Sequence, residues 1–94
     1  MIGNGIYYSD FDTKYIFNQN ELKITFIINN NIITEHFKCD DNNIYYNKNK
    51  TRNIKIFNTD NIDKLVMMYD DKIVIEIKKY TLIHKLLEFL GYAI

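Results

Sequence analysis

Residues 65–90, LVMMYDDKIVIEIKKYTLIHKLLEFL, constrain the fold more than any other stretch, because one unbroken segment offers a sheet face and a lid for it. Ile73, Ile75 and Ile77 point one way and Glu76 and Lys78 the other, with Val74 between polar neighbours, which is the alternation of a half-buried antiparallel strand. Residues 65–69 read as the preceding strand, joined to it by a tight turn at Asp70 and Asp71. Helical spacing of Ile62, Leu65, Val66 and Tyr69 is the competing reading there, with Asp60 as its cap. Beyond Tyr80 the period changes. Leu82, Ile83, Leu86, Leu87 and Leu90 fall on one helical stripe, with His84, Lys85 and Glu88 opposite, so residues 81–90 predict a helix docked on the sheet. Thr81 can cap that helix and Gly91 can end it, although His84 stands where a capping box needs Glu.

Upstream, residues 22–28 place Leu22, Ile24, Phe26 and Ile28 on one face and Lys23 and Thr25 on the other. Asn29, Asn30 and Asn31 turn the chain, and residues 32–38 return, with Ile33, Phe37 and Cys39 set against Thr34, His36 and Lys38. Asparagine takes the turn positions because it tolerates the left-handed region. Weaker strands are expected over residues 6–9, 14–17, 44–47 and 53–57. The fold expected is α+β, mainly β: an antiparallel meander of seven or eight short strands forming a roll or sandwich, capped by one C-terminal helix, with residues 1–94 a single compact domain. That order of elements is similar to the pleckstrin-homology and GRAM-like superfold, a likeness that no motif residue carries. An open meander also leaves edge strands, so a homodimer through a sheet edge is a further expectation.

Twelve basic and twelve acidic side chains balance to zero, so no global field steers the chain to nucleic acid or to an anionic membrane, and charge-based binding has to be local. A single Cys39, no apolar run long enough to span a bilayer and no secretory pattern at the start predict a cytoplasmic protein. The heavy use of Ile, Asn, Lys and Tyr without Pro or Trp is the mark of an AT-rich genome.

Candidate chemistry is sparse. His36 and Cys39 stand three apart on a strand, on opposite faces, and read as a solvated histidine and a small core residue. His84 and Glu88 share a helix face but lack the third ligand a zinc site needs. Asp40–Asp41 and Asp70–Asp71 are ordinary turn acids without the spacing of a calcium loop, and no glycine-rich loop cradles phosphate. The expectation is therefore no catalytic residue, no metal and no cofactor. The local feature that stands out is the run from Tyr45 to Lys55, YYNKNKTRNIK, in which Tyr45 and Tyr46 precede Lys48, Lys50, Arg52 and Lys55 with no acid between them. Its plain reading is a solvated hairpin; its functional reading is a partner-binding patch.

Eight tyrosines are too many for so small a core, so several are expected to be exposed, and exposed tyrosine is enriched at interfaces. The function expected is a small non-enzymatic protein-binding module that acts by steric occlusion, of the kind encoded by phages and mobile elements as anti-CRISPR-like inhibitors of host defence complexes. Its partner would be a larger host protein or nucleoprotein complex. The alternative is a nucleic-acid-binding module using the basic and aromatic loop 45–55, with bases stacking on tyrosine and cations meeting phosphates. A small enzyme is the third and weakest reading.

Overall fold

A computed structural model of the protein describes residues 3–9, 13–79, 86 and 89–91. Eight strands follow one another: β1 (Gly5–Tyr8), β2 (Lys14–Asn18), β3 (Glu21–Ile28), β4 (Asn31–Cys39), β5 (Tyr45–Tyr46), β6 (Asn53–Asn58), β7 (Lys64–Tyr69) and β8 (Ile73–Lys79). Each pairs antiparallel with its neighbour in sequence, and β8 returns to β1 through Tyr7↔Lys79 and Tyr8↔Lys78, so the meander is a closed barrel.

Closure corrects the expected α+β roll or sandwich. An eight-stranded barrel has an interior just wide enough to be filled by its own side chains, so the inward faces of the strands bury one another and need no lid. Tyr15, Phe17, Leu22, Ile24, Phe37, Tyr45, Ile54, Leu65, Met67 and Ile77 make up that filling. Phe17 meets Tyr7 and Tyr45 edge to face, with ring centroids 5.5 and 6.0 Å away. Most of the predicted helix over residues 81–90 lies outside the described residues. Where it can be followed, the Leu90 N–H donates to the Leu86 carbonyl at 3.0 Å and Gly91 comes next at φ 86°. Leu86 and Leu90, expected to dock on the sheet, are instead exposed. Closure also pairs the first and last strands, the free edges expected of a meander.

The tyrosine surplus is corrected in the same way. Tyr7, Tyr8, Tyr15 and Tyr45 are buried and Tyr46 and Tyr69 half-buried, while Tyr80 and Tyr92 lie outside the described residues. No described helix is long and apolar enough to cross a membrane.

Local turn chemistry follows the sequence closely. Asn29 and Asn30 have φ of 51° and 64° and Ile28 pairs with Asn31, a two-residue hairpin turn of the mirror-image type that matches strand twist. Asp70 and Asp71 have φ of 50° and 60°, and the Lys72 N–H closes the turn on the Tyr69 carbonyl at 2.8 Å. Residues 64–69 are thus a strand, and the helical alternative there is excluded. Asp40 caps its own turn, its Oδ1 accepting from the N–H groups of Asn42 and Ile44 at 2.9 and 3.0 Å.

One hairpin outgrows the barrel. β2 pairs with β3 only as far as Lys14↔Thr25, and β5 pairs with β4 only at Lys38 and Cys39, whereas β3 and β4 pair with each other along their whole length to Ile28↔Asn31. Residues 26–33 therefore form a two-stranded arm with no third strand paired on either side.

Candidate functional site

The base of the β3–β4 hairpin and the short β5 build the outer wall on which the basic loop sits. Tyr45 and Tyr46 are successive residues of one strand, so they must point to opposite faces. Tyr45 turns inward and is 1% exposed, out of reach of a partner, while Tyr46 lies on the outer side and is half-buried. The loop after them is held by Asn47, whose Oδ1 accepts from the Arg52 N–H at 3.0 Å and whose side-chain amide donates to Thr51 Oγ1 at 2.9 Å.

Two of the four predicted cations are engaged within the chain. Arg52 Nη1 donates to Glu35 Oε2 at 2.8 Å, its Nε lies 3.7 Å from Asp70 Oδ2, and the guanidinium sits 5.7 Å from the Tyr69 ring centroid. Asp70 is itself fixed, because its Oδ1 accepts from the Asn53 N–H at 2.8 Å. Lys55 Nζ donates to Asp71 Oδ1 at 2.7 Å. The acids of the β7–β8 turn thus neutralise the far end of the basic run. Burial, followed by the neighbouring Tyr15 hydroxyl, pushes the Tyr69 phenol well above its usual range, with Arg52 pulling weakly the other way.

Lys48 and Lys50 remain exposed, with Lys50 Nζ 5.8 Å from the Tyr46 ring centroid. They line one side of a groove of about 500 Å³. Lys23, His36 and Lys38 also line it; they stand outward on β3 and β4 because the hairpin register sets Lys23 against His36 and Glu21 against Lys38. Glu21 is the one carboxylate among the described lining residues. Of the six residues expected to form a patch, the structure brings together Tyr46, Lys48 and Lys50, buries Tyr45, and pairs off Arg52 and Lys55. Lys23, His36 and Lys38 of β3 and β4 were missed as members of the patch. Counting register back from the Asn29–Asn30 turn finds them.

Compared with known proteins, the chain matches no family model, no curated protein and no solved structure.

The arm is the second exposed feature. Ile27 and Ile32 face each other across the ladder on its outer side and are 67% and 73% exposed; Ile28 and Ile33, on the other side, are exposed as well. From Phe26 to Thr34 the sequence FIINNNIIT carries no charge. Phe26, at the root of the ribbon, still packs against the barrel core, but the four isoleucines beyond it are exposed on both faces, and an isolated two-stranded hairpin is marginal in water.

The remaining candidates stand apart. His36 faces outward and Cys39 packs against the core, its thiol pushed up chiefly by burial, so the two are on opposite sides of β4. Among the described residues no group of three or more His, Cys, Asp or Glu is placed to hold a metal ion. His84 and Glu88 lie outside the described residues.

Proposed function

We propose that this chain is a non-enzymatic protein-binding module that works by laying the β3–β4 arm against an apolar surface of a larger partner. One observation carries the reading: four isoleucines stand in water on an uncharged ribbon that the barrel does not need for its core. Their exposed fractions amount to about two fully exposed isoleucine side chains, which on burial would contribute roughly 3–6 kcal/mol before association costs. The strand edge at Ile32 and Thr34 has no ladder partner beyond β3, so main-chain hydrogen bonds can add to side-chain burial, as when a strand extends another protein's sheet. A compact barrel carried on such an arm would block whatever lies next to the docking point.

The finer reading keeps the sequence-based expectation of an anti-CRISPR-like inhibitor of a host defence complex and rests on chain size and composition. The arm replaces the tyrosines as the anchor, since Tyr45 is buried.

The test is affinity capture from cells of the source with the wild-type chain and with the double substitution Ile27→Ser, Ile32→Ser. Both residues are solvated, so the variant should fold and melt like the wild type while losing the captured protein. Equal capture by the two chains would refute the arm as the anchor. Protection of a phage or plasmid from host interference by the wild type but not by the variant would support the inhibitor reading, and protection by neither would remove it.

A further inference from the structure

We propose that the groove on the outer wall is a binding site for the phosphate backbone of a single-stranded nucleic acid, separate from the arm and independent of it. Lys23, Lys38, Lys48 and Lys50 come from two strands and a loop to line one depression, and none of them takes part in the ion pairs found among the described residues. Arg52 and Lys55, closer in sequence to Lys50 than the strand lysines are, have carboxylate partners at 2.8 and 2.7 Å. The protein as a whole is neutral, so four lysines with His36 gathered against a single glutamate is a concentration of charge that composition does not require. Lysines that serve only as solvated charge need not converge on a concave surface.

The geometry selects a strand over a duplex. The groove, at about 500 Å³, has the volume of a small-ligand pocket, enough for about one or two nucleotides and far less than the bulk of a double helix. Tyr46 is half-buried in its wall, a ring that a base can stack on once Lys50 swings from its face to a phosphate. Contacts of this kind hold the backbone and a π-face without reading sequence.

The experiment is fluorescence anisotropy of a labelled oligothymidylate with the full chain across a salt series. Two nucleotides are flanked by about three phosphates, and three contacts on a single strand give a log–log salt slope of roughly −2, so affinity should fall by about fifteenfold between about 50 and 200 mM salt. Lys48→Glu with Lys50→Glu, on an exposed loop, should weaken binding at least tenfold, as should Lys23→Glu with Lys38→Glu. Lys72→Glu with Lys78→Glu, the same charge change on exposed residues of β8 and its preceding turn, should leave affinity unchanged. Tyr46→Leu should weaken oligonucleotide binding by about tenfold while leaving competition by inorganic pyrophosphate intact. Circular dichroism of each variant verifies the fold, and the loop pair stands as the decisive variant if the strand pair does not fold.

No binding at the lowest salt would overturn the proposal, as would equal losses from the groove and control pairs. A duplex bound as tightly as the strand, or displacement of the strand by polyglutamate at equal charge, would overturn the assignment to single strands. Displacement by micromolar nucleoside triphosphate would reassign the groove to a free nucleotide.

Discussion

At its tip the β3–β4 hairpin runs through Phe26, Ile27, Ile28, three asparagines, Ile32 and Ile33 without a charge, whereas at its base the same two strands set Lys23, His36 and Lys38 on the outer wall. The ladder explains the base. With β2 on one side and β5 on the other, the strands have an inner and an outer face, and residues sort by parity: Leu22, Ile24 and Phe37 are buried while Lys23, His36 and Lys38 are solvated. Beyond Phe26, which still packs against the core, there is no third strand, so both faces are wet and the same parity rule sorts nothing. Polar residues would serve the fold equally well there. That isoleucines occupy both faces is what separates the two ends, and it is the observation on which the proposed docking of the arm rests.

The sharpest way to break this contrast is to truncate one apolar residue at each end. Phe37 is 3% exposed and sits in the barrel core, so Phe37→Ala should cost about 3–5 kcal/mol in urea unfolding. Ile32→Ser, at the tip, should change stability by no more than about 0.5 kcal/mol. If Ile32→Ser costs several kcal/mol and does so more at high protein concentration, the arm is already buried in self-association and the tip is no free surface.

A second test uses titration at the base. Burial, then Tyr15, raise the Tyr69 phenol in the folded chain, and burial and Asp63 raise Tyr7 in the same direction. Above the ordinary phenol value of about 10 the unfolded chain releases protons that the native state keeps. The native state then binds more protons, so stability is fully present below that pH and falls above it, by at most about 1.4 kcal/mol per pH unit for each such group. Tyr69→Phe should flatten the alkaline limb by about one proton, and Tyr69→Phe with Ile27→Ser should flatten it equally. An alkaline limb unchanged by Tyr69→Phe would show that the ring is not held in the barrel beneath Arg52.

Much of this was legible in the sequence, and the gaps have physical causes. Strand existence and turn positions were readable because alternation and the left-handed tolerance of Asn and Asp are local: the chain turns within the Asn29–Asn31 cluster and at Asp70–Asp71, although Asn31 already pairs in β4 and Lys72 joins the second turn, since Tyr69 pairs with Ile73. Closure was not readable, because it rests on a short ladder in which Tyr7 and Tyr8 meet Lys79 and Lys78, about seventy residues away, and no local pattern encodes a long-range pairing. The amphipathic stripe from Leu82 to Leu90 was read as needing a sheet to lie on, and that need vanished once the sheet covered its own face. In the site, the loss of Arg52 and Lys55 to ion pairs depended on Glu35, Asp70 and Asp71, each sixteen to eighteen residues off, and so was invisible to a local count of charge. The split between Tyr45 and Tyr46 needed only parity. The arm was hidden for a different reason, since the periodicity of residues 22–28 and 32–38 is the same whether or not flanking strands reach that far.

The smallest expected effect bears on whether the arm is a formed ribbon before it meets anything. Asn30 has a φ of 64° at the second central position of its turn, where glycine pays no penalty for a missing left-handed preference. Asn30→Gly should therefore stabilise the hairpin tip by a few tenths of a kcal/mol, and Asn30→Val should destabilise it, with global unfolding barely moved in either case because the tip carries none of the core. Hydrogen exchange at the Ile28 and Asn31 amides reads this directly: protection should rise for glycine and fall for valine. Protection insensitive to both would mean that the tip is frayed in the free chain and orders only on contact. The arm would then bind by folding rather than by docking, and its affinity per buried isoleucine would be lower than that of a preformed strand.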